Sequence, residues 1–218
     1  MAQIAENITH YTSILPKNVT LVAVSKTKPI EDLQEAYNAG QRVFGENKIQ
    51  EMSDKWEVLP KDIEWHMIGH VQTNKVKYMA PYVHLIHAVD SLKLLKEINK
   101  RAKQNDRSIN CLLQMKIAEE DSKFGLSEED LRTLLKDEKL ATFSNIRILG
   151  LMGMATFTEN EAQISNEFEK LQRVYNELKN EHQFEVLSMG MSGDYQLAIE
   201  KGSTMVRIGS SIFGERNY

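Results

Sequence analysis

The chain has 218 residues, of which 41% are hydrophobic, and it carries a formal net charge of −4. Because it is mildly acidic and has no long block of Lys and Arg, we expect neither a nucleic-acid partner nor binding to an anionic membrane surface. No apolar run is long enough to span a bilayer, and the first eight residues lack the basic and apolar regions of an export signal. We therefore expect a cytoplasmic protein, with its single cysteine, Cys111, packed in the core.

Short apolar runs alternate with longer helical patterns along the whole chain, which is typical of repeated βα units. In chain order, strands are predicted at residues 21–25, 42–45, 65–68, 83–89, 109–117, 146–155, 185–191 and 205–208. Most are near-continuous apolar runs and not strict alternations, as expected of strands that are buried on both faces of a parallel sheet.

The segments between these strands carry helical spacing and helix-end signals. Pro29 and Gly40 bracket one helix, Ser91 precedes another, and Ser127 with Asp130 forms a capping-box pattern. Helices are predicted at 30–39, 92–104, 128–139, 161–179 and 195–201, with an extra one at 4–14 before the first strand. No linker or change in composition marks a second domain. The sequence therefore predicts an α/β protein, a single (β/α)8 TIM barrel spanning residues 1–218 with an extra N-terminal helix.

The last two predicted strands each run directly into small residues. Ser192 and Gly193 follow one strand, and Gly209 and Ser210 follow the other. In this fold the loops after the seventh and eighth strands frequently bind phosphate, since backbone N–H groups and hydroxyls gather there. These two segments, which we call the anion loops, predict a phosphate site.

Lys26 comes directly after the first predicted strand. Functional residues of this fold collect at the carboxyl ends of strands, where partial desolvation of an ammonium favours the neutral amine that attacks carbonyls. The alternative is that Lys26 only extends along the barrel rim to reach water. An amine and a phosphate site at one barrel mouth suit a phosphorylated aldehyde.

Two further residues are candidates on the basis of strand alternation. Arg207 shares a side of its strand with Gly209, so an inward-facing Arg207 requires either a carboxylate partner or a ligand atom. Asn47 shares a side of its strand with Gly45. Gly45 leaves room for a flat ring, and Asn47 could form a hydrogen bond with that ring. An N-cap role for Asn47 fits equally well. We predict no metal site, since His66 and His70 straddle a strand end and do not lie on one helix.

Seven sequence motifs occur in a recognisable order. They are AVSK at 23–26, FGEN at 44–47, IGHVQTNK at 68–75, SKFG at 122–125, GLM at 150–152, LSMGMS at 187–192 and VRIGSSIFG at 206–214. Together they resemble the pyridoxal phosphate homeostasis protein family, the YggS/PROSC-like proteins, and the resemblance covers nearly the whole chain.

The resemblance implies a barrel of the alanine racemase N-terminal type that binds pyridoxal 5'-phosphate (PLP) as an internal aldimine. By the motif match, Lys26 is the Schiff-base lysine, Ser192 with the backbone of Gly209 and Ser210 holds the phosphate, and Arg207 faces the pyridine nitrogen. An Arg beside that nitrogen disfavours its protonation and so weakens the cofactor as an electron sink.

The resemblance also implies a role in intracellular PLP and amino-acid homeostasis, and we expect a non-catalytic carrier or regulator with no catalytic residues. Similar racemases take a second acid/base from a C-terminal β-domain, whereas this sequence ends soon after the last predicted strand. PLP-dependent apo-enzymes are the implied partners, and we expect a monomer. The alternatives are a PLP-dependent amino-acid racemase that uses a barrel residue as its second base, and a Schiff-base aldolase that acts on a sugar phosphate.

Overall fold

The computed structural model describes residues 2–119 and 124–215, so Ser122 and Lys123 of one sequence motif lie outside the described residues. Eight parallel strands form a closed barrel in sequence order, with the first strand paired to the last. The strands are β1 Thr20–Val24, β2 Val43–Glu46, β3 Glu64–Met67, β4 Leu85–Val89, β5 Ile109–Gln114, β6 Ile146–Met152, β7 Val186–Met191 and β8 Met205–Ile208. The predicted (β/α)8 barrel is confirmed.

Helices lie between the strands and form the outer layer, and the predicted extra helix precedes β1. They are α1 Ala2–Ile14, α2 Ile30–Asn38, α3 Ile49–Val58, α4 Val76–Met79, α5 Leu92–Gln104, α6 Glu128–Leu135, α7 Glu161–His182, α8 Tyr195–Glu200 and α9 Ser210–Phe213, with 3-10 turns at Thr73–Lys75 and Glu138–Thr142. Within the described residues, no helix has a stretch that is long and apolar enough to cross a membrane.

Some element boundaries differ from the sequence prediction. The fifth strand ends at Gln114, although the apolar run continues through the buried Met115 and Ile117. Apolar character reports burial and not strand pairing: Met115 forms an isolated bridge with Leu126, and Ile117 packs in the hydrophobic core. The sequence prediction did not include α3 or α4, which follow β2 and β3.

The core has two layers, separated by the sheet. The barrel interior is filled by Val22, Leu85, Ala88, Leu112, Met152 and Met205. A larger cluster packs between the strands and the helices and includes Phe44, Trp65 and Phe168. Cys111 is fully buried in that outer cluster, as predicted, and burial raises the pKa of its thiol.

A Gly150→Ala substitution should destabilise the barrel strongly. Gly150 has φ +153°, and an added Cβ would lie 1.8 Å from the carbonyl oxygen of Val186 on the neighbouring β7. Overlap with a paired backbone and strain at this φ together should lower the free energy of unfolding by about 3 kcal/mol or more. Urea denaturation measures the loss.

The matched control is Gly193→Ala, since nothing lies within 4 Å of a Cβ at Gly193 and its backbone does not require a positive φ. Its free energy of unfolding should stay within about 0.5 kcal/mol of the wild type. Equal losses in the two variants would contradict the close β6–β7 approach as the cause.

Candidate ligand-binding site

A cavity of about 800 Å³ opens where the carboxyl ends of the strands meet. The six residues that the sequence predicted for a site all line it: Lys26, Asn47, Ser192, Arg207, Gly209 and Ser210. They come from the ends of β1, β2, β7 and β8, which barrel closure brings around one mouth. The structure therefore places an amine, a guanidinium and both anion loops on one cavity.

Lys26 stands on a tight turn directly after β1. Its side chain is half-buried, while Ser25 before it is fully buried. Thr27 has φ +65°, and its N–H donates to the Glu51 carboxylate at 2.5 Å. Glu51 on α3 therefore holds the turn that carries Lys26.

A buried cluster of charged groups lies beneath that turn. The Lys55 ammonium donates to the carboxylates of Glu46 at 2.8 Å and Glu51 at 2.7 Å and to the carbonyl of Ser25 at 2.8 Å. The Ser25 hydroxyl donates to Glu46 at 2.7 Å. Burial raises the pKa of the Glu46 carboxyl above its ordinary value, while the Lys55 ammonium opposes that rise. Lys55 thus links α3 to the ends of β1 and β2 and supports the position of Lys26.

The two anion loops are connected to each other. The Ser192 hydroxyl accepts a hydrogen bond from the Gly209 N–H at 3.2 Å. Gly209 also lies close to the end of β1, since an added Cβ would lie 3.1 Å from the carbonyl oxygen of Val24. Ser210 is exposed toward the mouth. These contacts form a small polar rim where β7, β8 and β1 end.

Arg207 is a buried cation at the base of the cavity. Its guanidinium donates to the Ser188 hydroxyl at 2.6 Å and to the carbonyl of Gly153 at 3.0 Å. Burial lowers its pKa to about 10, and the Asp194 carboxylate opposes that shift. Arg207 therefore stays protonated at neutral pH and presents positive charge to the cavity.

Beneath Arg207, a line of polar side chains continues through the barrel interior. The Ser188 hydroxyl is 3.1 Å from His87 Nδ1, and His87 Nε2 is 3.0 Å from His66 Nδ1. Burial lowers the pKa of His66 to about 3 and the pKa of His87 well below its ordinary value. Both imidazoles are therefore neutral at pH 7.

Asn47 faces the cavity and does not cap a helix. The N-cap position of α3 is Lys48, without a side-chain hydrogen bond, so the N-cap alternative for Asn47 is wrong. Its buried Oδ1 atom has no hydrogen-bond partner among the described residues. Because a buried polar atom without a partner is costly, this atom is suited to a ligand donor.

Several lining residues were not predicted from the sequence. They include Gln114, Met154, Thr156 and Thr158. Their common signal is a position at or just beyond the carboxyl end of a strand, which also applies to many residues that do not reach the cavity. The His70 and Phe124 rings stack with their centroids 4.8 Å apart. Glu167 on α7 accepts hydrogen bonds from the N–H and the hydroxyl of Thr156, both at 2.6 Å.

A Lys55→Met variant should be much less stable than the wild type. Removing the ammonium leaves the buried Glu46 carboxyl without its cation, and breaking a buried pair from one side costs about 3–5 kcal/mol. Urea denaturation followed by circular dichroism measures the loss.

Lys100→Met provides the control, because Lys100 is exposed on α5 and the same substitution there should change stability by less than about 0.5 kcal/mol. If Lys55→Met were as mild as this control, the cluster would not hold the β1 and β2 ends together.

The fold and the site define a class of protein: a (β/α)8 barrel with an amine, a buried guanidinium and anion-binding loops at one mouth. The family model for the N-terminal domain of alanine racemase matches residues 1–217. The pyridoxal phosphate homeostasis protein of Aquifex aeolicus (strain VF5) is 43% identical over 201 residues, which cover 91% of this chain and 87% of that protein. The corresponding protein of Vibrio alginolyticus is 38% identical and is matched over 100% of both chains.

A solved structure supports the same assignment. PipY of Synechococcus elongatus PCC7942, a COG0325 family member whose structure was solved with PLP bound, superposes with a TM-score of 0.87 at 36% identity. The match covers 97% of this chain and 100% of PipY. The chain belongs to the family of pyridoxal phosphate homeostasis proteins, whose barrel is of the alanine racemase N-terminal type.

Proposed function

We propose that this protein binds PLP covalently on Lys26 and serves intracellular PLP and amino-acid homeostasis. The observation that carries the proposal is the meeting of Lys26, Arg207 and both anion loops on one cavity. PLP carries an aldehyde, a phosphate and a pyridine ring, and each has a matching group there. The names of the relatives and the PLP-bound PipY structure support the same ligand.

The residues of the cavity fit this cofactor. Ser192 and the backbone of Gly209 and Ser210 offer hydroxyl and N–H groups to a phosphate. Asn47 Oδ1 is a buried acceptor without a partner in the described part of the chain, which suits a ring substituent that donates a hydrogen bond. At about 800 Å³ the cavity lies in the ordinary range for small-molecule sites and exceeds the needs of PLP alone, so its outer part stays accessible.

Arg207 determines how the ring would behave. When bound, PLP supplies a conjugated ring that withdraws electrons, and it does so best when the pyridine nitrogen is protonated. In the proposed pose the protonated guanidinium of Arg207 faces this nitrogen, and repulsion between like charges disfavours protonation of the nitrogen. The chain thus favours holding the cofactor over using it as an electron sink.

We further propose a carrier or regulator and not an enzyme. Two-base racemisation requires an acid/base on each face of the substrate carbon. Besides Lys26, the titratable groups that line the described part of the cavity are Lys28, His70, Asp194 and Arg207. The Lys28 ammonium is engaged by the carbonyls of Phe213 and Glu215, and the Asp194 carboxylate accepts a hydrogen bond from the Met191 N–H, so neither is arranged as a free acid/base. His70, whose Nδ1 atom lies 3.4 Å from the Asp90 carboxylate, is the group that the racemase alternative would require.

The remaining proposals concern organisation and partners. We propose a single domain that acts as a monomer in the cytoplasm and passes PLP to PLP-dependent apo-enzymes. Sedimentation of the PLP-loaded protein tests whether it is a monomer. Recovery of apo-enzyme activity with the loaded protein, compared with recovery with an equal amount of free PLP, tests the transfer of PLP. Faster recovery with the loaded protein supports transfer by contact.

Lys26→Ala should abolish covalent PLP while leaving the barrel folded. Lys26 is half-buried at the cavity, so its truncation costs little packing. Borohydride reduction of the PLP-treated protein, followed by mass mapping of the modified lysine, measures the loss, and far-UV circular dichroism checks the fold.

Lys28→Ala is the matched control, because Lys28 also lines the cavity two residues away but its ammonium is held by the Phe213 and Glu215 carbonyls at 2.7 and 2.9 Å. It should retain one PLP per chain on Lys26. Trapping of the cofactor on another lysine of the wild type would refute the Lys26 assignment.

The PLP-loaded protein should not racemise free amino acids at an enzymatic rate. Chiral chromatography of alanine and other amino acids after incubation measures any interconversion. Turnover near 1 s⁻¹ or above, within the ordinary range of enzymes and lost in Lys26→Ala, would establish the racemase alternative instead.

A further inference from the structure

A second cluster of potential ligand atoms lies at the opposite end of the barrel from the cavity. Glu64 is the first residue of β3, and His84 immediately precedes β4, so both stand at the amino ends of strands. His66 follows on the same side of β3 as Glu64. One ring nitrogen from each histidine and one carboxylate oxygen of Glu64 lie within 4.8 Å of one another.

His66 contributes a buried nitrogen that nothing in the described structure uses. The residue is 2% exposed, its Nδ1 atom is engaged by His87, and its Nε2 atom has no hydrogen-bond partner among the described residues. Its ring stacks on the ring of His84 with centroids 5.6 Å apart and planes 11° apart. Since Nδ1 is occupied, Nε2 is the atom that His66 can offer to a ligand.

His66 is also oriented as metal-binding histidines usually are. Such a residue commonly donates its second ring N–H to a fixed acceptor, which sets the tautomer and the ring direction. Here His66 Nδ1 is 3.0 Å from His87 Nε2, and His87 is itself held by Ser188. If His66 Nδ1 donates to His87, the lone pair of His66 lies on Nε2.

We propose that Glu64, His66 and His84 form a binding site for a divalent transition-metal ion of the Zn²⁺ type at the amino end of the barrel. Two imidazoles and one carboxylate are a donor set that Zn²⁺ accepts, with water in the remaining position. The site draws on neither Lys26 nor the anion loops, so it stands whether or not the cofactor proposal holds.

The geometry requires only a small closure around the ion. With metal–ligand distances of about 2.0–2.2 Å, two ligand atoms of a tetrahedral Zn²⁺ lie roughly 3.4 Å apart. The side chains of Glu64 and His84 are 46% and 45% exposed, so rotation of their side chains can shorten the present separations. His66 stays in place, because the barrel interior holds it.

Zinc titration of the tag-free, chelator-treated protein by isothermal calorimetry tests the site. We expect one Zn²⁺ per chain, with affinity at least tenfold weaker in His84→Ala and in Glu64→Ala. Co²⁺ in place of Zn²⁺ should give the visible bands of a low-coordinate ion, and these bands should be lost in His84→Ala. Both substituted side chains are half-exposed, so the variants should fold.

His182→Ala is the matched control, since His182 also lies beside a carboxylate, that of Glu181 at 3.8 Å, but belongs to no such cluster among the residues that the structure describes. It should bind Zn²⁺ as the wild type does. Absence of stoichiometric Zn²⁺ binding would overturn the proposal, as would an affinity that His84→Ala leaves unchanged. These results do not depend on PLP binding, so they separate failure of this site from failure of the cofactor proposal.

Discussion

Closure of the sheet, through the pairing of β1 with β8, is the constraint on which the site depends. Val22 of β1 lies opposite Arg207 of β8, and Ala23 lies opposite Ile208, so the two strands end side by side. Residues almost two hundred positions apart therefore meet at one mouth. Gly209 makes this approach possible, because a side chain there would press against Val24. Without closure, Lys26 and the anion loops would occupy opposite edges of an open sheet.

The same closure creates an interior that must accommodate charge. Arg207 is buried with a pKa lowered by desolvation, its guanidinium donates to the Ser188 hydroxyl and the Gly153 carbonyl, and the negative charge of Asp194 opposes the pKa shift. The polar line then continues through His87 to His66 and crosses the apolar filling of the barrel. Arg207, held in this way, presents its positive charge to the cavity. At the other end of the polar line, the Nε2 atom of His66 is left without a partner among the described residues, on the side of the amino ends of the strands.

The strand ends of the barrel could be predicted from the sequence, whereas the buried charged groups that hold those ends could not. Apolar runs ending in Lys26, Ser192 and Gly209 marked the strand ends, and the order of fold elements then assigned those ends to one mouth. The role of Asn47 stayed open, because an N-cap and a ring contact call for the same residue type. Lys55 and Glu46 were not identified as a pair, since they belong to different elements and nothing local marks their contact.

By itself the sequence determined the barrel class, the family and six of the residues that line the cavity, because each of these follows from local hydrophobic runs and ordered motifs. Only the tertiary structure decided which charged groups are buried and what satisfies them. It placed Lys55 beneath the Lys26 turn, joined Arg207 to His87 through Ser188, and brought His84 against His66. The physical reason is that desolvation and hydrogen-bond satisfaction depend on neighbours across strands, which spacing along one chain does not record.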